Sequence, residues 1–168
     1  MRTILNILGP LTNPAGAPNQ VMGVFHADLV GIQARVLKML GSRHVLTVHG
    51  HEGLDEITIT GPTRVAEVRE GLVHTYEVTP EEFGLTRAPI EELSGGDAKT
   101  NAQIVRAILN GDKSPKRDIV LMNAAAAMVA AGKASQLRDA VGQAAQSIDS
   151  GAAARKLQGL VEFTQAEH

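Results

Sequence analysis

Val45-Leu46-Thr47-Val48-His49-Gly50-His51-Glu52-Gly53-Leu54-Asp55-Glu56-Ile57-Thr58 decides the fold, because the character of the chain changes across it. It begins as a short apolar run, passes through a glycine-punctuated loop, and leaves two adjacent carboxylates in front of alternating residues. Upstream, Val21-Met22-Gly23-Val24-Phe25 predicts a buried strand. Residues 28–40 predict a helix with Leu29, Ile32, Val36, Leu37 and Leu40 on one face and Gly41 as its stop. A second strand over residues 45–48 completes a strand–helix–strand unit with short joints, which implies parallel strands and ligands gathered at their carboxyl ends. The loop 50–56 sits at such an end. Downstream, residues 57–60, 64–68 and 73–78 alternate with period two, separated by Gly61-Pro62 and Glu70-Gly71. That is the pattern of an antiparallel meander with one wet face. The expected fold class is α/β, a mixed sheet with a parallel βαβ start and an antiparallel meander, flanked by helices.

The remaining segments supply those helices. Thr79-Pro80-Glu81-Glu82 opens a short one, with a capping threonine, proline at the first helical position and acids in the first turn, and Phe83-Gly84-Leu85 ends it. Asp97 is expected to cap a helix over residues 98–110 that buries Ile104, Val105, Ile108 and Leu109. Ser114-Pro115 opens the next helix, which is apolar all round from Ile119 to Val129. A helix with no polar face is a buried one, and its four consecutive alanines let neighbours come close. Asn123 within it is a buried amide that needs partners. Two amphipathic helices over residues 136–149 and 152–163, broken by Ser150-Gly151, close the chain. Near the start, three prolines and two glycines between Gly9 and Pro18 fix a loop shape, because each proline locks its own φ and restrains its predecessor. With no repeat, low-complexity tail or boundary, residues 1–168 are expected to form a single α/β domain.

Composition narrows the function classes. Sixteen Lys+Arg against 18 Asp+Glu leave no field to recruit nucleic acid or an acidic membrane surface, and four aromatics give little for base stacking. The absence of cysteine excludes a disulfide scaffold and a thiolate metal site, and suits a reducing cytoplasm. The first eight residues are no secretory signal, since Asn6 interrupts the apolar stretch and Gly9-Pro10 stops it. The longest apolar stretch, residues 119–131, falls short of the roughly 20 residues that cross a bilayer. A soluble, cytoplasmic protein is expected.

Asp55 and Glu56 carry the most chemistry. Adjacent acids at the loop end of a strand build a poor core but suit a hard cation such as Mg²⁺, which takes oxygen ligands and keeps several waters. Taken alone, such a pair reads as a solvated turn, and the rest of the chain is what raises it. His49 and His51 flank Gly50 beside the acids, a spacing compatible with a mixed His–carboxylate metal site, although a partly exposed loop histidine is the commoner state. Ser94-Gly95-Gly96-Asp97 looks like a phosphate-cradling loop, yet no apolar strand precedes it. His26 and His74 have no partner visible in the sequence.

Several stretches together resemble the carboxyl-terminal part of the anthranilate phosphoribosyltransferase family. They are residues 2–15 (Arg-Thr-Ile-Leu-Asn-Ile-Leu-Gly-Pro-Leu-Thr-Asn-Pro-Ala), Met22-Gly23-Val24-Phe25, Gly53-Leu54-Asp55-Glu56-Ile57, Asn123-Ala124-Ala125-Ala126-Ala127, Ala131-Gly132-Lys133-Ala134 and Ile148-Asp149-Ser150-Gly151-Ala152. Leu5 departs from the family's usual phenylalanine, a packing change only. The resemblance implies the catalytic fold shared with nucleoside phosphorylases. It also implies transfer of a 5-phosphoribosyl group from phosphoribosyl pyrophosphate to the amine of anthranilate, with release of pyrophosphate, in tryptophan biosynthesis. By the same resemblance Asp55 and Glu56 supply oxygens to Mg²⁺, Arg2 grips the anthranilate carboxylate, and Asn6, Asn13 and Pro14 shape the loop bordering the acceptor. No catalytic residue is assigned.

The family's amino-terminal helical domain, its glycine-rich pyrophosphate cradle and a lysine-histidine-glycine-asparagine segment have no counterpart in these residues. The expectation is therefore an amino-terminally truncated form, inactive alone, with the family's homodimer interface missing. Two other readings stay open: a pyrimidine nucleoside phosphorylase-like enzyme, against which the two loops argue, and a non-catalytic α/β fragment.

Overall fold

The computed structural model describes residues 5–166. A short helix α1 (Leu5–Leu8) and a 3₁₀ turn (Gly9–Leu11) lead to strand β1 (Asn19–Gly23), helix α2 (Ala27–Met39) and strand β2 (His44–Gly50). Strands β3 (Thr63–Arg69) and β4 (Leu72–Val78) follow, then 3₁₀ turns at Pro80–Phe83 and Ile90–Leu93. Helices α3 (Ala98–Leu109), α4 (Pro115–Ala130), α5 (Leu137–Asp149) and α6 (Ala152–Gln165) complete the order. The sheet runs β1-β2-β3-β4, with β1 parallel to β2 and the other two pairs antiparallel, so the mixed α/β sheet expected from the sequence is the one observed. Among the described residues no helix is long and apolar enough to cross a membrane.

Local signals explain most element ends. His26 caps α2 by accepting the Asp28 N–H on Nδ1 at 3.3 Å, which gives this histidine the partner its sequence context did not show. Asp97 caps α3 by accepting the Thr100 N–H at 2.8 Å. Thr79 and Glu82 form a reciprocal capping box around the turn at Pro80–Phe83, and Gly84 closes it with φ 76°.

Alternation sorts the strand side chains onto two faces. Met22, Val45, Ala66 and Val68 meet Val30, Ala34 and Leu37 of α2 on one side. Leu46, Val48, Val65 and Val78 meet Phe83 and the apolar residues of α4 and α5 on the other. Every residue of β2 after His44 is buried, because helices cover both faces. The expected meander with one wet face is thus corrected: exposure concentrates in the edge strand β4, of which only Val78 is buried. Within the sheet, Glu67 accepts the Tyr76 hydroxyl at 2.9 Å and lies 2.7 Å from His44 Nε2, so the polar side chains turned toward α4 are paired.

A second correction concerns residues 57–60, predicted as a strand and found to be irregular. Ile57 and Ile59 are fully buried, as their alternation required, but the backbone satisfies itself elsewhere. The Ile57 N–H and C=O both bond the Asn123 side chain, and the Thr58 N–H donates to Thr63 Oγ1 at 2.9 Å. Side-chain partners replace the ladder that a strand would need. The helices depart as well: of the α2 face expected from Leu29, Ile32, Val36, Leu37 and Leu40 only Leu37 is fully buried, Ile32 and Leu40 are exposed, and Val30 and Ala34 pack in the core instead. In α3 only Ile108 is fully buried, and Val105 is open to solvent. In α4, Val120 and Ala127 are exposed whereas Arg117 is buried and bonded to Asp149 Oδ1 at 2.7 Å.

Residues 51–58 return over the α4 side of the sheet, across the ends of β1 and β2. Two glycines make room for them. A Cβ built on Gly23 would overlap the backbone carbonyl oxygen of Asp55, and one on Gly50 would crowd Glu52 and Thr58 at 2.9–3.1 Å. Gly23→Ala must therefore displace the loop and is expected to cost about 1–3 kcal/mol. Gly142→Ala, at an exposed helical site where a Cβ meets nothing within 4 Å, should gain about 0.5–1 kcal/mol. Urea unfolding of the two variants checks both signs. Ala126→Leu, at a fully buried position of α4, is expected to lower stability in the same experiment by about 1–3 kcal/mol.

Candidate functional site

The loop between β2 and β3 begins at Gly50, whose N–H donates to the Leu54 carbonyl at 2.8 Å, while Gly53 turns the chain with φ 109°. Such a φ is one that L side chains rarely adopt, so glycine is required there. Asp55 and Glu56 follow at the carboxyl end of the parallel pair β1 and β2, where a sheet of this kind gathers ligands.

Both acids are exposed, on adjacent residues of the loop. The Glu56 carboxyl is held above the usual carboxylate range, first by desolvation on its inner flank, then by the neighbouring Asp55 charge and by the hydrogen bond to Asp55. Like charges on adjacent residues favour either a shared proton or a bound cation. Glu56 also forms part of the wall of an open cavity of about 460 Å³, whose remaining lining is chiefly apolar and includes Leu54, Ile104, Ile119 and Val120. Lys116 stands on the same wall, its ammonium donating to the Glu92 carbonyl.

Supports surround the acid pair. Asn123 accepts the Ile57 N–H on Oδ1 at 3.0 Å and donates from Nδ2 to the Ile57 carbonyl at 2.8 Å and the Ile119 carbonyl at 2.9 Å. Glu52 accepts the hydroxyl of Thr58, whose oxygen in turn accepts the Thr60 N–H at 3.1 Å. The sequence flags Asn123 as an amide in need of partners, but neither its partner nor the role of Gly23 is legible there, since both contacts join segments far apart in the chain.

The other candidates separate from the pair. His49 is buried with Nδ1 at 2.7 Å from the Val24 carbonyl, and His51 pairs with Glu77 at 2.9 Å on the surface. No cluster of three or more His, Asp or Glu side chains suited to a metal occurs among the described residues, so the mixed His–carboxylate site is not formed. Two carboxylates without further protein ligands still suit Mg²⁺, which completes its shell with water and substrate phosphates. In the segment 94–97 the Gly96 N–H donates to Asn101 Oδ1 at 2.9 Å and the Asp97 side chain caps α3. Asn13 shapes its loop as expected, accepting the Ala15 N–H at 3.0 Å. Arg2 lies outside the described residues, as does the side chain of Asn6.

Comparisons with known proteins bear on the family and the fold. The anthranilate phosphoribosyltransferase of Syntrophotalea carbinolica is 54% identical over 165 residues, covering 98% of this chain and 47% of that protein. The crystal structure of anthranilate phosphoribosyltransferase from Thermus thermophilus superposes with a TM-score of 0.90 at 44% identity, over 99% of this chain and 49% of that one. The Saccharomyces cerevisiae enzyme in complex with PRPP and Mg superposes with a TM-score of 0.83 at 30% identity, over 94% and 46% respectively. The chain thus spans about half the length of the relatives it matches. Residues 1–154 match the glycosyl transferase family, a/b domain, and the chain belongs to that family.

Proposed function

We propose that the protein carrying this chain is an anthranilate phosphoribosyltransferase, moving 5-phosphoribosyl from phosphoribosyl pyrophosphate to the amine of anthranilate in the cytoplasm. The observation that carries it is the place of Asp55 and Glu56, on a loop at the carboxyl end of the parallel strands β1 and β2, with the Asp55 carbonyl seated against Gly23 and Ile57 bonded to Asn123. Relatives alike over nearly the whole chain bear that name, and one was solved with PRPP and Mg.

The barrier to this reaction is one of charge, since the departing diphosphate gains negative charge while the sugar becomes cation-like. Mg²⁺, when bound, supplies positive charge to those diphosphate oxygens. Asp55 and Glu56 would hold it, from adjacent positions at the end of the parallel strands. Arg2 would take the anthranilate carboxylate in two parallel hydrogen bonds and so orient the amine. Leu54, Ile119 and their neighbours give the metal side of the site a largely apolar flank, in which charge interactions are less screened than in water.

The test uses the protein at the length of its relatives. Asp55→Asn with Glu56→Gln should raise the half-saturating Mg²⁺ concentration at least about tenfold, with pyrophosphate release from phosphoribosyl pyrophosphate and anthranilate as the readout. An unchanged metal requirement would remove the role given to the acids. Turnover of thymidine with phosphate, in place of anthranilate, would transfer the assignment to a nucleoside phosphorylase.

A further inference from the structure

We infer that Asn123 is a positioning residue for the acid pair: from α4 it locks the backbone of Ile57 and thereby fixes where the Glu56 carboxylate points before any cation arrives. The inference rests on the proposed role of Asp55 and Glu56 and adds to it the residue on which their geometry depends.

Asn123 is the one carboxamide in an otherwise apolar run from Ile119 to Val129. Its amide orientation is unambiguous, because the Ile57 and Ile119 carbonyls can only accept, so both must face Nδ2. Oδ1 is then left to accept the Ile57 N–H. The double bond to one residue's N–H and C=O is what a neighbouring strand would supply, and here a single side chain supplies it. Ile57 is itself fully buried in the core beside α4, so its backbone is held by the amide and its side chain by packing. One residue earlier in the chain is Glu56, and one before that Asp55, whose carbonyl lies in the space left by the missing side chain of Gly23. The pair is bracketed, by β1 on one side and α4 on the other.

Such bracketing has a physical need. Side chains on adjacent residues diverge, so whether both carboxylates can reach one cation depends on how the backbone from Asp55 to Ile57 is held. Alanine at position 123 would leave a hole and two unpaired buried backbone groups, and leucine would fill the hole without pairing them. Neither would remove a metal ligand. The expected defect is therefore in metal affinity, not in the chemistry at saturating metal.

The experiment compares three variants in the protein at the length of its relatives. Asn123→Ala should raise the half-saturating Mg²⁺ concentration about tenfold or more, with kcat at saturating Mg²⁺ within about threefold of the unaltered protein. Ile148→Ala, at a buried position of α5 far along the chain from the loop and bonded to none of its backbone, should lower the melting temperature without moving the Mg²⁺ requirement. If Asp55→Asn with Glu56→Gln shifts the metal requirement and Asn123→Ala does not, the inference fails while the proposed function stands. If neither shifts it, both fail. A second measurement needs no variant: the Ile57 amide of the unaltered protein should exchange slowly with and without Mg²⁺. Rapid exchange in metal-free protein that slows when Mg²⁺ is added would show that the cation, not Asn123, orders the loop, and would overturn the inference.

Discussion

The bond pair between the Asn123 carboxamide and the backbone of Ile57 ties the candidate site to the rest of the molecule. Without it, the N–H and C=O of the fully buried Ile57 would lose the partner they share. With it, the loop becomes part of the core: Ile57 and Ile59 reach the same apolar cluster as Leu46, Val48 and Met122. An amide inside a helix costs desolvation, and the three hydrogen bonds it makes here offset that cost.

Missing side chains do similar work at Gly23 and Gly50. Both stand near the carboxyl ends of adjacent parallel strands, on the side that faces α4, and both would collide with the returning loop if they carried a Cβ. The sheet therefore provides a trough, and α4 provides a clasp above it. The acids sit where the two meet. Burial raises the Glu56 carboxyl first, and the neighbouring Asp55 raises it further.

Farther from the site, the buried charge is paired rather than functional. Arg117, at the first turn of α4, bonds Asp149 at the end of α5, with Lys113 adding to the same carboxylate at 3.6 Å, and so fixes the two helices against each other. The histidines follow the same logic. His44 meets Glu67, His51 meets Glu77, and His49 meets a backbone carbonyl, which leaves none of these three beside the acids as a ligand.

The sequence by itself determined the elements whose periods are strong: β1, α2 and β2 as a βαβ unit, α4 as a buried helix, and the caps at Thr79 and Asp97. It determined the chemistry available at Asp55 and Glu56, because residue type sets that. It could not determine that residues 57–60 forgo a strand, since alternation records only which side chains are buried and not which groups satisfy the backbone. Nor could it show that β2 and β3 are covered on both faces, or that Asp55 is held over Gly23 and Ile57 under Asn123. Those are contacts between residues more than 30 and more than 60 positions apart, and only the packing of α4 across the sheet brings them within reach.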